Sequence, residues 1–266
     1  MVWTKKLEVD HFVGPGSSPA ATDTLLIVPC DGGDKQFVAA LDLQTGDIRW
    51  QQDRPPIRST NPDMRKANST PLILPLNGRD VAIIPGAEWF VAYDAATGRE
   101  VWRVSHDNGF SNVPRPVYDG QRLYLCSGYI RPRLFAVRTD GQGDVTKTHV
   151  AWQVAQQVPT MPSPVVVAGR IYMISDGGVA SCLNAETGEV VWRERVDGKY
   201  SASLLAAAGR IYFCSQQGRT TVVAASDEFH VLARNELAGM LMASPAVLQG
   251  DLVLRTDSQL YRIDGK

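Results

Sequence analysis

Short apolar runs, each bounded by Gly, Asn, Asp or Pro, recur along the whole chain. Phe37-Val38-Ala39-Ala40-Leu41 is one. Leu25–Val28, Val81–Ile84, Leu123–Leu125, Ile171–Ile174, Ile211–Phe213 and Leu252–Leu254 form a second, evenly spaced series. Runs of this length between turn residues predict β-strands. The second series follows turns at Thr22-Asp23, Asn77-Gly78-Arg79, Asp119-Gly120, Gly169-Arg170, Gly209-Arg210 and Gly250-Asp251. Before those turns stand Ser18-Pro19, Ser69-Thr70-Pro71, Val113-Pro114-Arg115-Pro116, Ser163-Pro164, Ser201-Ala202-Ser203 and Ser244-Pro245, each opening a further short strand.

A second motif alternates with the first. Ala40-Leu41-Asp42-Leu43-Gln44-Thr45-Gly46-Asp47-Ile48-Arg49-Trp50 returns at Ala92–Trp102 and at Cys182–Trp192. A looser copy with a longer turn runs from Ala136 to Trp152, and the copy at Ala224–Ala233 has lost both Thr-Gly and Trp. Gly in that turn supplies the positive φ of a tight hairpin. The Trp four residues later falls on an outer strand, where its ring can bury against the next unit. Trp3, Trp50, Trp102, Trp152 and Trp192 share this position, and Trp89 stands outside it.

Each unit therefore reads as four strands, A to D, in about 36 to 52 residues, the signature of a propeller blade. The fold expected is all-β: a single six-bladed β-propeller domain of four-stranded blades. Its blades fall near residues 8–53, 54–105, 106–155, 156–196, 197–237, and 238–266 together with 1–7. Trp3 has no strands A to C before it, and Gln259–Gly265 has no strand D after it. The N-terminal strand is expected to close the ring by completing the C-terminal blade, which removes exposed strand edges.

The Ala-x-Asp-x-x-Thr-Gly-x-x-x-Trp pattern resembles the tryptophan-docking motif of the PQQ-like, quinoprotein-type propeller repeats, and the resemblance covers essentially the whole chain. That family holds quinoprotein dehydrogenases and also non-catalytic outer-membrane assembly lipoproteins. The dehydrogenases place pyrroloquinoline quinone and calcium in an eight-bladed ring, with a disulfide between adjacent cysteines against the quinone. Here Cys30, Cys126, Cys182 and Cys214 are widely spaced. No base and no calcium ligand of the family is carried over, so no cofactor is expected, pyrroloquinoline quinone with calcium being the alternative. The cysteine spacing fits buried free thiols, neither a zinc site nor a disulfide-dense scaffold.

Charge narrows the partners. The 27 Lys and Arg nearly balance 28 Asp and Glu, which argues against nucleic acid. No apolar run reaches the roughly 18 residues of a membrane span. The chain opens Met1-Val2-Trp3-Thr4 without a secretory signal. The resemblance implies a periplasmic or secreted protein whose signal lies outside this chain, and a complete chain would be cytoplasmic.

Antiparallel order puts the B–C hairpins and D–A crossings on one face, where functional residues concentrate. The candidate rim comprises Arg54, Arg58 and Arg65 of the longest crossing, His11, His106 and Tyr200 of other crossings, and Trp89, Tyr129, Arg131 and Asp176 of the hairpins. Trp89, a large aromatic outside the docking pattern, leads this set as a contact residue. No metal site is assigned: Asp31-Gly32-Gly33 and Asp176-Gly177-Gly178 are hairpin chemistry before they are calcium ligands. No nucleophile elbow, zinc-helix motif or phosphate loop occurs. A non-catalytic scaffold that binds a protein, peptide or glycan is the leading function. A quinone- or metal-dependent oxidoreductase and a sensor domain of a longer envelope protein are the alternatives.

Overall fold

The expected runs are strands, and strands adjacent in sequence pair antiparallel into six sheets in a computed structural model that describes residues 2–12 and 14–264. The first sheet orders Ala20–Ala21, Leu25–Asp31, Gln36–Asp42 and Ile48–Asp53 from one edge to the other. The second uses Leu72–Leu76, Arg79–Pro85, Trp89–Asp94 and Glu100–Ser105. The third uses Val117–Tyr118, Arg122–Cys126, Leu134–Arg138 and Val150–Val154. The fourth runs from Val165–Val167 through Arg170–Ile174 and Val179–Asn184 to Val190–Arg195. The fifth runs from Leu205–Ala207 through Arg210–Cys214 and Arg219–Ala224 to Val231–Glu236. The last contains Ala246–Leu248, Asp251–Arg255 and Leu260–Ile263.

The chain divides into two compact units, residues 1–153 and 154–266. In the first unit, Phe37 through Leu41 are all buried, as a strand packed on both faces requires. Trp102, Phe90, Leu123 and Phe135 form the centre of its largest core cluster. In the second unit, Tyr172, Trp192, Tyr200 and Phe213 do the same. All four cysteines are buried and none is in a disulfide, and burial pushes the Cys30 thiol up to about 12 and the Cys182 thiol up to about 11.

Two hairpin chemistries repeat. Gly46, Gly98 and Gly188 adopt φ of 75°, 73° and 76° in the Thr-Gly turns. In the first of these, Asp42 Oδ1 accepts the N–H groups of Gln44 and Thr45. In four sheets the turn between first and second strands is of the two-residue kind with both φ positive: Asn77-Gly78, Ala168-Gly169, Ala208-Gly209 and Gln249-Gly250. The Ser-Pro motifs form a hydroxyl belt along the first strands. Ser18 donates its N–H to Thr70 Oγ1, Ser163 to Ser203 Oγ, and Ser203 to Ser244 Oγ.

Three of the tryptophans take the docking role expected of them. Trp50 donates its indole N–H to the Ala95 carbonyl at 2.9 Å, Trp3 to Leu43 at 2.9 Å and Trp192 to Ser226 at 3.1 Å. Each binds the turn after the third strand of a sheet. Trp102 departs from the rule because the third sheet has the longer turn. Gly143–Asp144 within that turn pairs in parallel with Trp102 and Arg103, which gives the second sheet a fifth strand. The ring of Trp102 is fully buried there and its Nε1 has no partner.

The last sheet differs from expectation. It ends at Leu260–Ile263 with three strands, and residues 2–12 contain no strand. Positions 1, 265 and 266 of the closing blade lie outside the described residues.

Candidate functional site: the hairpin-and-crossing face

The crossings are held by a device that repeats from sheet to sheet. Each crossing folds back on the hairpin between the second and third strands of the sheet it enters, and a side-chain oxygen of that hairpin accepts the crossing's backbone N–H. Asp34 Oδ1 accepts from Asp10 at 2.8 Å. Glu88 accepts from Arg58 and Ser59, at 3.0 and 3.2 Å. Asp176 accepts from Thr160 and Met161, and also from the Thr160 hydroxyl at 2.7 Å. Gln217 Oε1 accepts from Lys199, and Asp257 Oδ1 from Met240. A crossing has no ladder partner, so these acceptors satisfy donors that folding would otherwise leave unpaired.

The third sheet reverses the polarity. Its hairpin contributes a cation, Arg133, which donates to the His106 carbonyl and to Asp107 Oδ2 at 2.7 Å. The tip of that hairpin projects. Tyr129 and Ile130 are 59% and 62% exposed, and Arg131 beside them is exposed too. Ile130 adopts φ 82°, a conformation that a β-branched residue rarely takes. The tip is nonetheless anchored: Phe110 and Tyr129 form a β-bridge, and their rings meet edge to face at 6.0 Å.

The other expected rim residues of the first unit divide by burial. Arg54 is buried, forks onto Asp31 at 2.9 and 2.6 Å, and donates to the Ile84 carbonyl. His106 is buried, with Nε2 2.9 Å from the Gly86 carbonyl and its ring 4.4 Å from that of Phe90. Burial drives its pKa down to about 4, so the ring is neutral. Trp89 is half-buried. It donates to the Pro56 carbonyl at 3.0 Å and lies under the Arg103 guanidinium, which pins the long crossing to its sheet. Arg58 pairs with Glu88 but keeps its side chain 64% exposed. Arg65 donates to Gln36 Oε1, and His11 is half-buried. In the second unit Tyr200 is buried and donates to the Asp197 carbonyl, while Asp176 is the clamp described above.

Arg58, Tyr129 and Arg131 thus present exposed side chains in the first unit, while Arg54, His106 and Tyr200 face inward. The aspartates of both Asp-Gly-Gly hairpins bind chain groups, Arg54 and the Thr160 crossing. Among the described residues no three His, Cys, Asp or Glu side chains converge as metal ligands would. No helix among them is long and apolar enough to cross a membrane. The clamping acceptors Glu88 and Gln217 were legible as hairpin residues, but their partners lie 30 and 18 positions away. The projecting tip had one sequence signal, the apolar pair Tyr129-Ile130 inside a turn.

Comparison with known proteins gives the relationship. The outer membrane protein assembly factor BamB of Shigella dysenteriae is 26% identical over 206 residues, 76% of this chain and 48% of that protein. The Salmonella typhimurium BamB is 26% identical over 99 residues, 37% of this chain and 24% of that protein. The chain therefore spans about half or less of the length of the curated relatives it matches. Among solved structures, BamB from Moraxella catarrhalis aligns with 93% of this chain and 84% of its own, with a TM-score of 0.52 at 15% identity. Quinohemoprotein alcohol dehydrogenase from Comamonas testosteroni aligns with 85% of this chain and 43% of its own, with a TM-score of 0.60 at 15% identity. These two likenesses establish a PQQ-like propeller-type fold. The family described as outer membrane protein assembly factor BamB matches residues 1–140 and 86–259, and the chain belongs to that family.

Proposed function

We propose that this chain is a non-catalytic scaffold of outer-membrane protein assembly, working on the periplasmic side of the bacterial envelope. It binds a protein partner through the hairpin tip of its third sheet. The observation that carries this reading is the exposed Tyr129–Ile130 pair on an anchored support, with Ile130 held at φ 82°. A strained apolar tip costs stability that a purely structural hairpin has no reason to sacrifice. Aromatic and aliphatic side chains flanked by Arg are also the usual composition of a contact surface. Arg58 and Arg131 supply the charged border, which favours an acidic rim on the partner.

The scaffold reading includes a six-bladed ring completed by residues 1–7. Two features support it: Trp3 docks on Leu43 as Trp50 docks on Ala95, and the last sheet lacks one strand. Cysteine pairs placed between residues 4–6 and Leu260–Ile263 should crosslink on oxidation. Failure of every register would leave the ring open. The reading also requires neither quinone nor calcium, and a saturable change in the visible spectrum on adding both would count against it.

The binding claim is tested by a photo-crosslinking amino acid at Tyr129, compared with one at Gln44 in a Thr-Gly turn, in intact cell envelopes. A discrete protein adduct from position 129 and none from 44 is expected. The same adducts from both positions, or none from 129, would overturn it.

A further inference from the structure

The docking rule fails at one junction of the second unit, and it leaves a cavity. In three sheets the residue that faces Ala40, Ala92 or Cys182 across the outer pair is Trp50, Trp102 or Trp192, always just before a bulge in the third strand. In the fifth sheet the same register, with the same bulge, pairs Val222 with Ala233. The side chain there ends at Cβ. Beside it opens a cavity of about 570 Å³ between the fifth and last sheets, walled by Tyr212, Val222, Ala233, Leu252, Leu254 and Ile263.

Its walls are mainly apolar, with Arg210, Thr220, Asn235 and Asp264 as the polar lining, and Leu232, Val247 and Ile263 are half-exposed along it. The volume lies within the range of small-molecule sites, and apolar cavities made by deleting a side chain take up aromatic molecules of the missing shape. The sibling junctions show what shape is missing. Each holds an indole ring, and Trp50 and Trp192 point their N–H at a backbone carbonyl just past a third strand. The corresponding chain here leaves Leu260–Ile263 at Asp264, which lines the cavity.

We propose that the cavity beside Ala233 is a binding site for a neutral, planar, bicyclic aromatic molecule of indole size. The ligand inserts between the fifth and last sheets as the ring of a docking tryptophan does elsewhere in the chain. This site is separate from the hairpin tip of the first unit and stands or falls independently of it.

Indole itself is the probe. Titrated into the whole chain, it should bind saturably and raise Tm by about 3–5 °C at about ten times its dissociation constant. Ala233→Trp should raise Tm without ligand and weaken indole binding at least tenfold. Equal indole binding by wild type and Ala233→Trp, or no saturable binding at all, would overturn the site. If that variant does not fold, methyl NMR of the wild type decides. Shifts confined to Val222, Leu252, Leu254 and Ile263 support the site, and scattered or absent shifts refute it.

Discussion

Trp50 lies across Gly98 so closely that a β-carbon added to that glycine would stand 2.5 Å from the indole ring. The glycine is needed twice: for its φ of 73° and for the space under a ring that another sheet contributes. Gly78 separates these requirements, with φ 76° and nothing within 4 Å of an added β-carbon. Gly98→Ala should therefore cost roughly 2–4 kcal/mol, combining backbone strain with overpacking, and Gly78→Ala only about 1–2 kcal/mol. Chemical denaturation of the two variants checks the difference, and equal losses would mean that the docked ring yields freely.

The Asp31–Arg54 pair predicts a strongly non-additive cycle. Both side chains are at most 4% exposed and meet at 2.6 Å. Removing either alone strands a buried charge, so Asp31→Leu or Arg54→Met should each cost about 3–5 kcal/mol. The double variant should recover much of that loss. A double variant as unstable as the sum of the singles would show that the two side chains are not energetically coupled.

His106 gives the protein an acid-sensitive point. Its folded-state pKa lies near 4, against 6.5 for a free imidazole, chiefly through burial, with Arg133 adding to the effect and Asp107 opposing it. The unfolded chain therefore binds a proton first as pH falls. Stability contributed by the neutral ring is fully present above about pH 6.5 and drains away towards pH 4, by up to about 3 kcal/mol. Measured between pH 7 and pH 4, His106→Asn should lose stability less steeply than the wild type. Parallel slopes would place the sensitivity in other groups.

Turn chemistry offers a gain. Ala168 and Gly169 adopt φ of 48° and 74°, the same pair of positive angles as Asn77 and Gly78. Asn tolerates this region better than Ala, and Asn-Gly is the preferred sequence of such hairpins. Ala168→Asn should stabilise the protein by up to about 1 kcal/mol, read as an upward shift of the denaturation midpoint with unchanged slope. A neutral result would mean that the flanking strands alone hold the turn.

Strands and hairpins were readable because their causes are local. Short apolar runs and a Gly at the required φ sit within a few positions of one another, as in Phe37–Leu41 and Thr45-Gly46. The recurring Trp made docking readable as well, since the same ring recurs at the same place in several repeats. The candidate rim was readable only as a set of loops. Arg54, His106 and Tyr200 have the polarity of surface residues, yet Asp31, the Gly86 carbonyl and the Asp197 carbonyl receive them inside. The inward turn of Arg54 and His106 depends on acceptors 23 and 20 positions away, supplied by neighbouring chain segments.

The order of strands, the tight turns and the family of repeats are thus properties of the linear chain, because hydrophobic period and backbone propensity act over short separations. Tertiary packing alone decided three things. It chose which polar loop residues became internal clamps, it left Tyr129 and Ile130 as the projecting tip, and it turned the missing tryptophan at Ala233 into a cavity. Each depends on what a distant segment places opposite the residue, and burial, the pairing of charges and empty volume exist only once those segments meet.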